Sequence, residues 1–390
     1  MANSLNRRNW IKSSALLAGG LALASGTINK LAAMPVMRKM GFAGKPVTDE
    51  TVILDAAPAL KARLLANENP FGPSPAAKKA IQETLDTSYQ YAFMQLSTLS
   101  GKIAAYEGIN QSNIMLNSGS SALLLAAAIH YSKGGKSIIT GDPSYDDLPT
   151  SALRNGGKWV KVPLTKDYKL DLDAMEAKVD DNTGLVYICN PNNPTGTVVD
   201  TDKLKAFCER VSKKTMVFVD EAYIDYLPDP QATTLIGGVK AGQNIIVART
   251  FSKLYGFAGL RCGYIVAQPD TIHALSIYTG GAFNLSATTI AAAIAGYRET
   301  DFLQDALKKT IASREFLYAT LKKEGYEYIP SSANFVMFPL KMDGAKFVGE
   351  MMKRGVGIRN WKLNGADWCR VSIGRMDEME AFADAFKQLS

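Results

Sequence analysis

The chain has 390 residues, 47% of them hydrophobic and 21% charged, which gives enough apolar material for a large core and suggests two or three domains. Of its formal charge of +7, three charges sit on Arg7, Arg8 and Lys12, leaving +4 spread over the remainder. That is no nucleic-acid footprint. The two histidines, His130 and His273, fall in no motif, so serine- or cysteine-histidine catalysis and histidine-rich metal sites have little to build on. Cys189, Cys208, Cys262 and Cys369 have no metal-ligand spacing and read as buried free thiols rather than disulfides.

At the start of the chain, Asn6 to Lys12 precedes an apolar run from Ser13 to Ala24. A basic region followed by an apolar one has the form of a secretory signal. The paired Arg7-Arg8 with Lys12 resembles a twin-arginine signal, and Ala22-Leu23-Ala24 offers a small-x-small cleavage site. The run is too short and too rich in Gly and Ser for a membrane span of ~20 residues, and no other stretch approaches that length without charges. Residues 1–30 are therefore expected to be a signal peptide and the protein periplasmic. A helical N-terminus or uncleaved anchor is the competing reading, and without a signal the protein is cytoplasmic.

Residues 31–75 read as an N-terminal arm that joins a smaller domain. From 76 to 285 helices alternate with short apolar strands. Helices are expected at 76–86, 98–107, 120–132, 171–179 and 200–212. Strands are expected at 137–140, 185–189, 216–219, 245–248 and 263–267. Continuous apolar strands mean both sheet faces are covered, so this is a large, mostly parallel α/β domain. Beyond 286, helices at 286–297, 301–324 and 377–389 and strands at 334–338 and 368–373 indicate a smaller α+β domain.

Several strands end in loops that carry chemistry, where such sheets bind ligands. After the strand at 245–248 come Thr250, Ser252, Lys253 and Arg261. A desolvated lysine there has a free amine to attack carbonyls, and the hydroxyls and guanidinium can hold a phosphate. Asp220 ends the strand at 216–219 and can keep a pyridine nitrogen protonated; it could equally cap a helix or bind a metal. Tyr223 can donate to a phenolate oxygen. Asn193, in a turn dense with Pro and Asn, is a fixed amide donor. Gly119, Ser120 and Ser121 open an apolar helix, which makes either an anion site or a plain cap. Tyr145 can stack on a flat ring or be an ordinary turn aromatic. Arg359 and Arg370, at strand spacing, can bind carboxylates.

The strings at 117–123, 141–145, 187–196, 217–223 and 248–263, in that order, resemble the fold-type I pyridoxal-phosphate (PLP) enzymes, the aspartate aminotransferase superfamily. Ala66 to Pro73, Phe283 to Ser286 and Ser332 to Phe335 narrow the resemblance to the histidinol-phosphate aminotransferase branch. It covers residues 50–390. The resemblance implies an aminotransferase moving nitrogen from an amino donor to a 2-oxo acid such as 2-oxoglutarate. It implies that Lys253 joins the cofactor as a Schiff base, Asp220 pairs with the ring nitrogen, and Asn193 and Tyr223 contact the ring oxygen. Tyr145 would stack on the ring, with Gly119, Ser120, Ser121, Thr250, Ser252 and Arg261 around the phosphate. Tyr91 would reach that phosphate from a neighbouring subunit, which implies a homodimer with shared sites. Asn67 and Arg370 would hold the substrate, Arg370 at its α-carboxylate, and Arg359 would meet a distal phosphate. The chain departs from the branch at Tyr91-Ala92-Phe93, where Tyr-Pro-Asp is usual, and at Ser121-Ala122, where an acidic pair is usual. Aromatic-amino-acid transamination, decarboxylation of the threonine-phosphate type and a non-catalytic binding protein are the alternatives on this scaffold.

Overall fold

The structure, a computed structural model, describes residues 60–389. The expected signal peptide at 1–30 and the arm up to residue 59 lie outside the described residues. A two-residue strand, β1 (Ala62–Arg63), comes first. Seven strands then form one sheet: β2 (Ile114–Asn117), β3 (Ser137–Asp142), β4 (Lys158–Pro163), β5 (Thr183–Cys189), β6 (Met216–Asp220), β7 (Ile245–Thr250) and β8 (Gly263–Val266). Their spatial order is β2-β8-β7-β6-β5-β3-β4. All run parallel except β8, which is antiparallel to both neighbours.

The alternation along β5, β6 and β7 shows why these strands read as continuous apolar runs. Val186, Ile188, Val217, Val219, Ile245 and Val247 face one core, and Leu185, Tyr187, Phe218, Ile246 and Ala248 face another. Burying a residue of this kind is worth about 1.5–3 kcal/mol, so both faces are held. The first core is roofed by α2 (Phe93–Glu107) and α5 (Thr201–Val211), the second by α3 (Ser120–Tyr131) and α4 (Asp147–Arg154). Ahead of them α1 (Pro75–Thr84) starts on Pro75, with Ser74 Oγ accepting from the Ala77 amide. The expected helix at 98–107 begins five residues earlier, at Phe93, because its first turn carries no side-chain cap to mark it. The edge strands β2 and β4 escape sequence patterning. One has only four residues, and the other is largely exposed.

Beyond the large sheet come α6 (Pro269–Ser276), α7 (Ala287–Gly296), α8 (Thr300–Lys323), β9 (Phe335–Pro339), α9 (Gly344–Lys353), β10 (Val356–Gly357), β11 (Arg359–Leu363), β12 (Ala366–Ser372) and α10 (Met376–Phe386). β11, β12 and β9 make an antiparallel sheet, and β1 pairs with β10. A separate hydrophobic core joins Val336, Phe338, Phe347, Val371 and Phe382. The expected boundary at 286 falls before α7, yet Ile290 and Ala293 of α7 pack in the large core. Helix α8 contributes to both cores. Leu303 and Ala306 belong to the large core, Leu317 and Leu321 to the small one.

All four cysteines are buried free thiols. Burial pushes the Cys208 and Cys262 thiols up to about 12. Thiol titration should find no fast-reacting group in native protein and four after unfolding. A titration of two after unfolding without reductant would reveal a disulfide.

Candidate active site

The C-terminal ends of the parallel strands gather at one edge of the large sheet. Asp220 pairs across to Cys189 and to Ala248. Because β8 is reversed, its first residue, Gly263, lies between Asn117 and Thr250. That brings the start of α3 beside the loop following β7. A Cβ on Gly263 would sit 2.6 Å from the Ser120 amide nitrogen, and one on Gly119 would sit 2.3 Å from the Arg261 guanidinium. Only glycine allows this approach at either place.

A cavity of about 310 Å³ opens at this edge, a size typical of small-ligand sites. It is lined by Asn67, Ser120, Ser121, Tyr145, Asn193, Asp220, Tyr223, Thr250, Ser252, Lys253, Arg261, Arg359 and Arg370. Thirteen of the residues singled out from sequence thus meet in one place, and Gly119 lies against the guanidinium of one of them, Arg261. Tyr91 is not among the lining residues. It is 77% exposed and packs on Phe93 and Phe283.

The cavity's polar groups are oriented by bonds to groups outside it. Asp220 accepts from the Tyr187 hydroxyl at 2.9 Å and the Ala222 amide at 3.1 Å. Burial raises its carboxyl to about 6, against those bonds and the nearby Lys253. The Lys253 amine donates to the Asn67 carbonyl at 3.3 Å and lies over the Tyr223 ring. Burial lowers it to about 8, helped by Arg370 and Arg261 and opposed by Asp220 and Glu68. Arg370 Nη1 donates to Asn193 Oδ1 at 2.7 Å, which fixes the amide so that Nδ2 is the donor on offer. The Tyr223 hydroxyl accepts from Asn67 Nδ2 at 3.0 Å and keeps its own proton to donate; burial holds the phenol above its ordinary range. Arg261, in the left-handed region at φ 59°, turns its guanidinium to Ser252 Oγ at 3.3 Å. The Tyr145 hydroxyl donates to Asp147.

Sequence reasoning missed four contributors. Tyr187 holds Asp220, yet in a fully buried strand no alternation marks it; its hydroxyl, needing a partner inside the core, was the available signal. Ser372 and Asn334 tie Asn67 in place, through Ser372 Oγ to Asn67 Oδ1 at 2.8 Å and Asn334 Nδ2 to the Asn67 carbonyl at 3.0 Å. Cys189 lines the floor. Asn67 thereby links the small sheet to Tyr223 and Lys253.

The donor set fits pyridoxal phosphate. Arg261, two hydroxyls and the start of α3 surround one anion position, a carboxylate and an amine face the same space, and two amide or phenol donors stand beside them. The chain also matches the family model for aminotransferase class I and II over residues 61–386. It belongs to the class I and II aminotransferases.

Among its relatives, a histidinol-phosphate aminotransferase from Moorella thermoacetica is 34% identical over 348 residues, 89% of each chain. An aromatic amino acid aminotransferase from Mycolicibacterium vanbaalenii is 38% identical over 82% of this chain and 90% of its own. A solved histidinol-phosphate aminotransferase from Sinorhizobium meliloti, in complex with pyridoxal-5'-phosphate, superposes with a TM-score of 0.80 at 27% identity, covering 91% of this chain and 99% of that one. This aminotransferase is a pyridoxal-phosphate enzyme of fold type I that works on an amino donor and a 2-oxo acid.

The electrostatics carry a sign that can be measured. If the Lys253 amine is the group that captures pyridoxal phosphate, it must react in its neutral form, and the rate of capture by cofactor-free protein should rise with pH through a midpoint of about 8. Arg370→Met should move the midpoint up and Asp220→Asn should move it down. Stopped-flow absorbance would read both, and a midpoint unmoved by either change would contradict the geometry.

Proposed function

We propose that Lys253, Asp220, Asn193, Tyr223 and Arg261 carry transamination in the roles their positions suggest, and that the substrate is held by the arginine pair Arg359 and Arg370. The observation that carries this reading is the presence of the Lys253 amine and the Asp220 carboxylate in one cavity wall to wall with an anion cup. Pyridoxal phosphate, when bound, supplies an aldehyde that joins amines and an electron-poor ring that accepts the electrons released at the donor α-carbon.

Lys253 takes the proton from that α-carbon and returns it, as general base and then acid; an amine near pH 8 suits both directions. Asp220 holds the proton at the ring nitrogen. Its raised carboxyl pKa reflects a buried anion that gains most from a cationic partner. Tyr223 and Asn193 donate to the ring oxygen, and Tyr145 stacks on the ring. Arg261, Thr250, Ser252, Ser120, Ser121 and the Gly119 turn hold the phosphate.

Arg359 and Arg370 are cross-strand partners on β11 and β12, and both line the cavity. Two adjacent guanidiniums suit a phosphate dianion or the two carboxylates of a diacid such as 2-oxoglutarate. This favours an amino-phosphate donor of the histidinol-phosphate type. The aromatic-amino-acid reading stands second, on the 38% identical relative. A homodimer is part of the reading as well. Tyr89, Tyr91, Phe93, Met94 and Phe283 are exposed, and the rings of Tyr91, Phe93 and Phe283 touch one another, an apolar cluster suited to an interaction surface from which Tyr91 would enter the partner's phosphate cup. Arg7, Arg8 and the apolar run after them support export to the periplasm.

Three measurements test this. Lys253→Ala should abolish the absorbance of the lysine Schiff base and the turnover. Asp220→Ala should lower kcat by ~10²-fold or more, about 3 kcal/mol of lost electrostatic stabilisation; an unchanged kcat would remove Asp220 from the mechanism. In a panel of amino donors, Arg359→Ala should weaken a phosphorylated donor by ~10-fold or more while sparing phenylalanine. Equal losses on both would shift the assignment to an aromatic donor.

A further inference from the structure

The sheet face turned away from the cavity carries charges that the chemistry above does not use. Along β6, Asp220 lines the cavity, and the next residue, Glu221, takes the opposite face. Along β7, Thr250 lines the cavity and Arg249 lies behind it. Glu221 and Arg249 meet there, Oε2 to Nε at 2.6 Å, with side chains 2% and 4% exposed. Glu221 also accepts from the Leu235 amide at 2.7 Å and the Thr234 hydroxyl at 2.9 Å.

The ion pair extends further. Arg249 Nη1 stands 3.9 Å from Glu107 Oε1, at the last residue of α2, where a negative charge opposes the helix dipole. Arg298 lies 3.8 Å from Glu107 and 3.1 Å from Asp225, two residues after Tyr223. The elements that deliver Asp220, Tyr223 and the lysine loop are therefore tied together from behind by one chain of charges.

A buried ion pair is a poor way to gain stability, because apolar residues of similar volume usually serve as well or better. This one is not even fully bonded. Arg249 Nη2, Glu107 Oε2 and Arg298 Nε make no hydrogen bond among the described residues. What the pair does supply is a fixed separation. It joins the residue next to Asp220 with the penultimate residue of β7, the strand that leads to Lys253, and the Glu221 amide is bonded to the Ala248 carbonyl at 3.0 Å. The charges bearing on the Lys253 amine, Arg370, Asp220, Glu68 and Arg261, are all cavity-lining groups, so the pair acts through backbone placement.

We propose that Glu221 and Arg249 are positioning residues for transamination: their ion pair sets the spacing of the Asp220 carboxylate from the Lys253 amine across the cavity. This rests on the roles given above to Asp220 and Lys253.

The test uses cofactor-loaded protein carrying Glu221→Leu with Arg249→Met, which removes both charges and strands neither. Melting temperature, cofactor dissociation constant, donor KM and kcat per bound cofactor are measured against wild type. The double variant should melt below wild type, because the Leu235 amide and the Thr234 hydroxyl lose their acceptor, so kcat per loaded site is the reading that decides. Its kcat per loaded site should fall by ~10²-fold, the effect of an ångström-scale misplacement, with donor KM little changed and the cofactor bound more weakly. A merely structural pair would lose melting temperature and keep wild-type kcat per loaded site, and that result overturns the proposal. If the double variant does not fold, Arg249→Lys decides. It keeps the charge but loses the fork, and kcat per loaded site should still fall; a wild-type value there also overturns the proposal. A borohydride-reducible lysine Schiff base that survives Lys253→Ala would instead show that the lysine assignment had failed, and the proposal with it.

Discussion

Everything at the sheet edge follows from placing a lysine amine and an aspartate carboxylate in one low-dielectric cavity. Each is costly to bury charged, and each responds in the direction burial dictates. The Lys253 amine falls to about 8 and the Asp220 carboxyl rises to about 6. Lys253 and Asp220 share their cavity with Arg261, Arg359 and Arg370, so the wall around the amine and the carboxylate is rich in guanidiniums. Phosphate and carboxylate groups suit such a wall.

The scaffold makes this affordable by spreading the site over rigid elements. β5, β6 and β7 are apolar on both faces, so their ends do not move freely. The reversal of β8 brings Gly263 between Asn117 and Thr250 and turns two separate loops into one anion cup. Asn67 then connects the small sheet to the large one. It accepts from Lys253, donates to Tyr223 and exchanges bonds with Ser372. The arginine proposed to grip substrate and the lysine proposed to move its proton are thus mechanically joined.

Sequence patterning was informative where burial is two-sided and chemistry sits at a strand end. The five core strands and the lysine, aspartate and asparagine loops all came from that combination. It failed where the signal is carried by the partner rather than the residue. β2 is four residues long, and β4 shows no clear face. Helix α2 starts without a cap. Tyr187 looks like one more core residue until its hydroxyl is found on Asp220. Glu221 and Arg249 lie 28 positions apart, each beside a residue with an evident role, and nothing in the linear order pairs them. The packing of α7 against the large core likewise depends on tertiary contacts that an Ala-rich helix does not announce.

The central claim is that a single amine, that of Lys253, forms the covalent link to the cofactor. Borohydride reduction of the loaded protein, followed by proteolysis and mass spectrometry, reads this directly. One pyridoxyl adduct on the peptide containing Lys253 is the predicted result. An adduct on another lysine, or none in protein that is visibly loaded, would contradict the account.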